Sequence, residues 1–396
     1  MTKANVKAKA CMMGSKRLAA CAAAMAYALC AHCVALPNGR DAQRVWDVRD
    51  FGAQGDGLAD DTAAVQRTLD EASASGGGTV RVPPGVYRIG SLSLGWNTRL
   101  ELAGGVTDAS SGYDAETAKR ATDPEVSAIL RPVRSKRPPI FLYNLVPPAY
   151  ITNGCGNIAV SGGVFDCGGL ALVGAFACAR GLRVENAIVR DLPNNHGLQL
   201  VACENVLVTN CVFAGYSFGG DAGSVLTRET IQVEDSCPTC ISGNPSKSPV
   251  LCDKDDSRPN RNVTVCGCWF GPSETHGPHL IALGHHGYPR SCDGLVFAGN
   301  TVIDPLYCGV RIANVSDALI ERNRFTSHRW PKSVKDDGSF ITVWGRSRLK
   351  PGEMGIVIRG NVFERSEDSL LIDMWISPHR QKEVSVERNA TTIPRP

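Results

Sequence analysis

A short motif that recurs along the chain constrains its fold more than any other sequence feature. Each copy reads as a β-branched strand, a small or polar pair, then Asn or Cys in most copies, and then an apolar residue. The copies are anchored on Val160, Val184, Val208, Val265, Phe297, Ile320, Ile358 and Val386. The basic spacing of these anchors is 23–24 residues, lengthened in places by insertions. That period is typical of a solenoid, and no helical apolar period accompanies it.

We therefore expect an all-β fold, a single-stranded parallel β-helix in which each repeat forms one coil. Coils stack at the spacing of neighbouring strands, about 4.8 Å, so equivalent positions form ladders. One predicted ladder contains Asn300, Asn323, Asn361 and Asn389, with Cys211 and Cys268 in the same slot. The 41 glycines in 396 residues fit the tight turns that each coil requires.

The 16 cysteines fall into two groups, four in the N-terminal segment and twelve from Cys155 onwards. A second ladder is predicted just before the strands, at Cys155, Cys178, Cys203 and Cys292. An even number of cysteines in an exported chain favours disulfides, and a ladder of buried thiols is the alternative. A zinc site with four thiolates is a further alternative, at Cys237, Cys240, Cys252 and Cys266.

The N-terminal segment has the pattern of a secretory signal. Basic residues from Lys3 to Arg17 precede an apolar run from Leu18 to Leu36, with the small residue Ala35 near its end. Residues 1–35 are therefore predicted to be a signal peptide, with an uncleaved anchor as the alternative. The mature chain is expected to be secreted or periplasmic, without membrane contact. Its net charge of +3 gives no argument for binding nucleic acid.

Residues 46–396 are predicted to be one β-helix domain, with a Cys-containing insertion at 236–258. Near its start, a helix is expected with Val65, Leu69 and Ala72 on one face and Asp60, Asp61 or Thr62 as N-cap. This helix would cover the open end of the rod, as a solenoid requires. The aspartates around it are interpreted as caps and turn residues, and no metal site is predicted.

The segment from Asp50 to Tyr87 carries a resemblance to a known family. It reads DFGAQGDGLADDTAAVQ and then, after the helix, GGGTVRVPPGVY. This string resembles the N-terminal signature of the pectate-lyase-superfamily, glycoside hydrolase family 28-related proteins, and Thr152 to Gly168 resembles their first full coil. The resemblance covers about residues 46–390 and implies a right-handed β-helix. It leaves the reaction open, because relatives include hydrolases, lyases, epimerases, transferases and phage tailspikes.

The strands that follow the longer turns suggest where a ligand would bind. Because side chains alternate along a strand, we expect Leu198, Leu200, Ile231, Val233, Ile281, Leu283, Val310, Ile312, Ile341 and Val343 to point inwards. The residues that would then face an outer groove are Gln199, Gln232, Glu234, Arg311, Thr342, Trp344 and Asp373. His196 precedes the first of these strands, and His285 and His286 lie just past the end of another.

A second resemblance concerns this strip. Four segments are similar to motifs of a bacterial branch of the superfamily, which carries E-A-I-Q-[LI]-D, D-D-T-P-C-x-N-V-T-I and I-G-S-H. They are ETIQVE (229–234), Asp255-Asp256, NVTV (262–265) and LGHH (283–286). Glu229, Gln232, Glu234 and His286 fall on its polar positions. Glycoside hydrolase family 28 proper has N-T-D, D-D, G-H-G and R-I-K on consecutive coils. This chain has Asn194-Asn195-His196, Glu234-Asp235, His276-Gly277 and Arg311-Ile312-Ala313 in that order, of which only Arg311-Ile312 matches well.

These residue types suit chemistry on an acidic polysaccharide. The predicted catalytic residues are Glu229, Glu234, Asp235 and His286. The predicted substrate-binding residues are His196, Gln199, Gln232, His285, Arg311, Trp344 and Asp373. Inverting hydrolysis needs two carboxyls about 6.5–9.5 Å apart, and Arg311 would pair with a uronate carboxylate.

We expect a carbohydrate-active enzyme that hydrolyses glycosidic bonds of a uronate-containing polysaccharide. A polysaccharide lyase, an epimerase and a non-catalytic glycan-binding protein are the alternatives on the same fold. No cofactor is required, and Ca²⁺ would be expected only for a lyase. Monomer and trimer are both compatible with the sequence.

Overall fold

The computed structural model describes residues 44–135, 139–144, 155–217, 228–234, 258–286, 291–328, 338–344, 353–367, 369 and 371–392. At residues 155, 285 and 286 it describes the backbone alone. The predicted signal peptide and Asp235 lie outside these residues, as does the 236–258 insertion apart from Arg258. Cys237, Cys240 and Cys252, three of the four predicted zinc ligands, also lie outside them.

Three long parallel sheets make up this part of the chain. The chain passes through sheet A, sheet B and sheet C in turn, so each round of three strands forms one coil. Every strand pairs in parallel with the equivalent strand of the next coil, as in Val184 beside Val160 and Val208. The predicted fold class, a right-handed parallel β-helix, is confirmed.

The strand bounds follow this order. Sheet A contains β1 (Val45–Asp47), β3 (Gly78–Val82), β6 (Thr98–Leu102), β9 (Cys155–Gly162), β12 (Ala179–Glu185), β15 (Glu204–Thr209), β18 (Asn260–Cys266), β21 (Cys292–Ala298), β24 (Val315–Glu321), β27 (Ile356–Arg359) and β30 (Val384–Glu387). Sheet B contains β2 (Asp56–Asp60), β4 (Gly85–Ile89), β7 (Ala128–Pro132), β10 (Val164–Asp166), β13 (Ile188–Leu192), β16 (Val212–Tyr216), β19 (Trp269–Gly271), β22 (Thr301–Ile303), β25 (Arg324–Ser327), β28 (Val362–Arg365) and β31 (Ala390–Thr392). Sheet C contains β5 (Leu92–Leu94), β8 (Ile140–Asn144), β11 (Leu172–Ala177), β14 (Leu198–Val201), β17 (Glu229–Glu234), β20 (Ile281–His286), β23 (Cys308–Ile312), β26 (Ser339–Val343) and β29 (Ile372–Ile376).

Two α-helices accompany the coils in the described residues, α1 (Thr62–Ala74) and α2 (Ala115–Thr122). Short 3₁₀ helices lie at Val48–Phe51, Ala109–Ser111 and Gln381–Glu383. The predicted cap is α1, whose Val65, Leu69 and Ala72 are buried.

The aspartates before α1 act through the backbone, as predicted. Asp60 accepts the N–H of Thr62, and Asp61, at the N-cap position, accepts the N–H groups of Gln54 and Gly55. Asp56 accepts the N–H groups of Leu58 and Ala59, which lowers the pKa of its carboxyl. Turn formation therefore accounts for this cluster.

All the predicted repeat anchors occupy one column of sheet A. Each is paired with the next across neighbouring coils, from Val160 to Val386. The column also extends back through Leu100 and Val80 to Trp46, three coils that lack the repeat motif. Apart from the exposed Val386, the column is buried and forms the centre of the core.

The predicted asparagine ladder joins sheet A to sheet B. The Oδ1 of each asparagine accepts the backbone N–H of its counterpart one coil earlier, from Asn389 to Asn361, Asn323 and Asn300. Asn300 continues the series by accepting the N–H of Cys268 at 2.9 Å. The residue before each slot turns the chain with positive φ, as at Gly299 and even Arg322.

The predicted cysteine ladder is wrong in its register. Cys155 is paired with Ala179, and the pairing of Arg180 with Glu204 puts that alanine beside Cys203. Asn260 then separates Cys203 from Cys292. Cysteines of this column are therefore two coils apart, about 9.6 Å, which is beyond disulfide reach.

The cysteines whose side chains are described are all buried, and no disulfide joins any two of them, contrary to the disulfides that the sequence favours. They are Cys167, Cys178, Cys203, Cys211, Cys266, Cys268, Cys292 and Cys308. Burial raises the pKa of the Cys203 thiol to about 12. In the described part of the chain, no helix has the length and apolar character needed to cross a membrane.

Candidate functional site

Sheet C carries the predicted strip on its outer face. The ten residues expected to point inwards are all buried. One of them, Ile281, is the first residue of β20 and is in register with Glu229, so it has a corner position and not a central one. The outward positions form a column in register, in the order Gln199, Gln232, Gly284, Arg311, Thr342 and Trp375. The alternation argument is therefore confirmed for the centre of each strand.

Alternation fails at the first residues of the sheet C strands, where the chain turns the corner from sheet B. Thr230 points inwards, since its Oγ1 lies 2.6 Å from Nδ1 of the buried His279, and the next residue, Ile231, is also in the core. Phe340 and Ile341 repeat this arrangement in β26. The first residue of the strand consequently faces outwards, and this places Glu229 on the strip.

Glu229, Arg311 and His196 form the polar centre of the strip, which we call the Glu229 centre. Nη2 of Arg311 donates a hydrogen bond to Oε1 of Glu229 from two coils away. Nδ1 of His196 lies 3.3 Å from the other oxygen, Oε2. Gly284 makes the contact possible, because a Cβ at that position would lie 2.5 Å from Cγ of Glu229.

Other predicted residues of the strip surround this centre. Nε2 of Gln199 donates to Oε2 of Glu234 at 2.9 Å. The ring of Trp344 lies 5.8 Å from Cζ of Arg311, within cation–π range. Oε1 of Gln232 is buried and has no hydrogen-bond partner among the described residues.

The centre of the strip is buried and does not form an open groove. Glu229 is 0% exposed and Arg311 is 4% exposed, although both face away from the core. Gln199, Gln232, Glu234 and His196 are buried as well. The attraction between two opposite charges is stronger when they are shielded from water. A ligand would have to reach this buried pair in order to bind it.

Three of the predicted site residues lie where their side chains are not described. His285 and His286 are in β20, where they pair with Val233 and Glu234, and Asp235 lies outside the described residues. Their predicted roles therefore remain predictions.

Asp373 is not in the central column of the strip, contrary to the prediction from strand alternation. The pairing of Thr342 with Trp375 gives that position to Trp375, two residues further along β29. Asp373 instead contacts Arg365 at 3.2 Å and the hydroxyl of Thr391, both in sheet B. The reason is that Asp373 lies near the start of β29, opposite Phe340 in the neighbouring strand, and alternation does not hold at the starts of these strands.

His279 supports the strip from inside the coil. Its Nε2 donates to the carbonyl of Phe213 at 3.0 Å, so in the neutral ring Nδ1 accepts from the hydroxyl of Thr230. Burial lowers the pKa of His279 to about 4. Since Thr230 is next to Glu229, this pair of bonds fixes the start of β17.

A second polar network lies at the corner between sheets B and C, and it contains His276. The carboxylate of Asp191 accepts from Ser273 at 2.6 Å and Thr275 at 2.9 Å, and lies 3.0 Å from Nδ1 of His276. Asp191 lies near the end of β13 with a left-handed φ of +56°. His276-Gly277, the segment that corresponds in order to G-H-G, thus lies off the strip.

Sequence reasoning missed Gly284, His279 and Trp375. A glycine in a strand interior signals a close approach, and this signal was available at Gly284. No signal marked the other two, because their importance depends on register and on the corner. Among the described residues, no group of three His, Cys, Asp or Glu side chains is placed to hold a metal ion.

Comparison with known proteins places the chain in a structural context. Residues 45–104 match a family model described as Rhamnogalacturonase A/epimerase, pectate lyase-like. The plasmin and fibronectin-binding protein A of Streptococcus pneumoniae is 29% identical over 306 residues, which are 70% of this chain and 38% of that protein. The mannuronan C5-epimerase AlgE6 of Azotobacter vinelandii is 40% identical over 90 residues, 23% of this chain and 10% of that protein.

The crystal structure of PfbA, a surface adhesin of Streptococcus pneumoniae, has the same fold. It matches with a TM-score of 0.66 at 21% identity, covering 88% of this chain and 79% of that one. Of the two full-length relatives named above, the matched residues span 38% and 10%, well under half of each protein. The fold and the N-terminal segment are thus similar to those of pectate lyase-like right-handed parallel β-helix proteins.

Proposed function

We propose that this chain is a carbohydrate-active enzyme that acts on a uronate-containing polysaccharide at the Glu229 centre. The buried ion pair between Glu229 and Arg311 is the observation that carries the proposal. A buried ion pair adds little net stability, because a protein with apolar residues of similar volume at the same positions is often equally stable or more stable. Charged groups retained in a buried site are candidates for function.

The groups of the centre suit proton abstraction beside a carboxylate. The guanidinium of Arg311 has five N–H donors in a planar fork, so it can bind a uronate carboxylate while still contacting Glu229. Glu229 and His196 are the groups that would take and return the proton. Loss of the glycosidic oxygen after proton abstraction gives a lyase product, and return of a proton on the other face gives an epimer.

Hydrolysis, the reaction favoured by the sequence, needs a second carboxylate near Glu229. Glu234 lies at the opposite end of the six-residue β17, about 16 Å away along an extended strand. That separation exceeds the 6.5–9.5 Å or so of inverting glycosidases. A hydrolase would therefore need Asp235, Asp255 or Asp256, which lie outside the described residues.

The likeness to the streptococcal protein supports a second candidate. Its name describes a protein that binds plasmin and fibronectin, and its solved structure is that of a surface adhesin. Either function would require the chain to be outside the cell or at its surface. A non-catalytic protein on this fold would bind glycans or glycoproteins without changing them.

The test is a panel of polyuronates, including polygalacturonate and polymannuronate, incubated with the purified chain with and without Ca²⁺. Reducing ends, ultraviolet absorbance of unsaturated sugars and the proton NMR spectrum of the polymer are followed together. A lyase raises the first two, a hydrolase raises only the first, and an epimerase changes only the NMR spectrum.

Variants assign any activity to the centre. Glu229→Gln and Arg311→Lys are each expected to lower kcat at least about 100-fold, as for residues that act in the transition state. Glu101→Gln, an exposed carboxylate of sheet A, is the matched control and should retain full activity. Absence of all three signals on the whole panel would reject the enzyme and leave the adhesin.

A further inference from the structure

The side chain of Gln232 carries a buried oxygen that is not satisfied in the described part of the chain. Gln232 is 3% exposed, and its Oε1 has no hydrogen-bond partner there. The amide one coil earlier in the same column, that of Gln199, donates from Nε2 to Glu234 at 2.9 Å. Because most buried polar groups in proteins are hydrogen-bonded, the exception at Gln232 requires a bound molecule to explain it.

The position of Gln232 relative to the Glu229 centre limits what that molecule is. Gln232 and Arg311 lie on either side of Gly284 in the column, one coil before it and one coil after it. Their strands are therefore two spacings apart, about 9.6 Å. Glu229 lies between them, because its Cγ occupies the space that a side chain at Gly284 would fill. An amide and a guanidinium thus flank one carboxylate.

A single uronate ring matches this arrangement. In a pyranose ring, the C5 atom that bears the carboxylate is opposite C2, which bears a hydroxyl, and C3 is next to C2. A ring whose carboxylate binds Arg311 therefore lies over Glu229 and directs its C2–C3 edge towards Gln232. A hydroxyl both donates and accepts hydrogen bonds, so it can satisfy Oε1 and also accept from Nε2.

We propose that Gln232 determines specificity by hydrogen-bonding the C2–C3 hydroxyl edge of the same uronate whose carboxylate binds Arg311. The proposal rests on the proposed function, which supplies the uronate and its contact with Arg311. It adds that the site distinguishes uronates with a free hydroxyl edge from those acylated there. An acyl group removes the hydroxyl donor and adds bulk at a buried contact, so O-acetylated polyuronates are excluded.

Isothermal titration calorimetry with single-ring probes, which have no glycosidic bond to cleave, tests this assignment. The probes are galacturonate, mannuronate, 2,3-di-O-acetylgalacturonate and tetrahydropyran-2-carboxylate, a ring carboxylate without hydroxyls. Gln232→Met should raise Kd for the two uronates about three- to tenfold, the value of one hydrogen bond, and leave Kd for the hydroxyl-free ring unchanged. Arg311→Lys should raise Kd for both kinds of probe, because it loses the planar fork.

Two controls separate ligand recognition from a structural role. Gln54→Met replaces an exposed glutamine near the N-terminal cap and should leave every Kd unchanged. Since Oε1 of Gln232 has no partner in the described structure, Gln232→Met should leave the urea midpoint of unfolding unchanged or raise it. A lower midpoint together with equal weakening of all probes would show a structural amide and overturn the proposal.

The remaining outcomes separate this proposal from the proposed function. Selective weakening of the uronates by Gln232→Met supports the proposal even if the activity panel yields no product. Equal affinity of parent and Gln232→Met for the uronates assigns the amide to a buried water and overturns it, even if the parent is active. Tight binding of the diacetylated probe overturns it as well. A parent that binds no uronate at all contradicts both proposals.

Discussion

Glu229 and Arg311 carry opposite charges where water stabilises neither of them. Glu229 is fully buried, and its partner reaches it across Gly284. Such a pair contributes little net stability as a whole, yet each partner depends strongly on the other. This distinction makes the pair accessible to a stability experiment that does not depend on any activity.

We expect Glu229→Leu to lower the free energy of unfolding by about 3–5 kcal/mol, because it leaves the buried charge of Arg311 without its partner. Combining it with Arg311→Met should recover most of that loss. Urea unfolding of both single variants and the double variant provides the measurement. A double variant whose loss equals the sum of the two single losses would show that the two side chains are not coupled.

His279 should make stability depend on pH. Its pKa is lowered to about 4 by burial in the folded chain, against about 6.5 in an unfolded chain. The unfolded state therefore binds more protons between these values. Stability should be fully present above about pH 6.5 and decrease by something on the order of 3 kcal/mol as the pH falls towards 4.

The measurement is the unfolding free energy from pH 4 to pH 7 for the natural chain and His279→Gln. The variant should have a flatter profile over that range. His328→Gln is the control, because His328 is largely exposed beside Asp304 and its replacement should leave the profile unchanged. Parallel profiles for the natural chain and His279→Gln would disprove the assignment.

At the scale of the element, the asparagine ladder ties successive coils together. Oδ1 of Asn323 accepts from the N–H of Asn300, while Nδ2 of Asn323 donates to the carbonyl of Phe297 and to Asn361. All of these groups are buried, so a missing partner leaves donors and acceptors unsatisfied. The motif that revealed the fold therefore also contributes to its stability.

Asn323→Ala should lower the free energy of unfolding by about 2–3 kcal/mol, the loss expected when buried polar groups lose a partner. Asn389→Ala removes an equivalent set of bonds at the exposed last coil. We expect a clearly smaller loss there, because water replaces the missing bonds. Denaturant titration compares the two, and equal losses would mean that the ladder stabilises without regard to burial.

At the scale of the whole molecule, the stacking of coils converts distant residues into one surface. The column from Gln199 to Trp375 draws on six strands that span nearly half the sequence. Trp375 is 38% exposed at the end of this column. The apolar face of a sugar ring packs well on an indole, so we expect this residue to extend the candidate site towards the last coil.

Trp375→Ala should weaken binding of a long polyuronate about three- to tenfold, while unfolding free energy changes little for a partly exposed side chain. The control is Trp96→Ala, since Trp96 is 36% exposed in an early coil. Affinity electrophoresis in gels that contain the polysaccharide measures both variants. An equal shift for the two tryptophans would argue against a directed site.

The sequence determined the solenoid, because its signals are local and repeat. The apolar anchors, the asparagine slot and the capping helix each follow from residues within one coil, and all are in place. Gln199, Gln232 and Arg311 were also predictable, since strand alternation is a local rule. The same rule gave the wrong position for Asp373 and did not predict which face Glu229 occupies, because alternation does not hold where strands begin at a corner.

Only the tertiary structure decided which residues meet. Register across insertions of unequal length set Trp375 rather than Asp373 beside Thr342, and Ala179 rather than Cys178 beside Cys203. The contact of Glu229 with Arg311 joins residues 82 apart in sequence through a gap left by Gly284. A repeat fixes the distance between coils, whereas the contacts across them depend on how each turn and insertion sets the phase of the next strand.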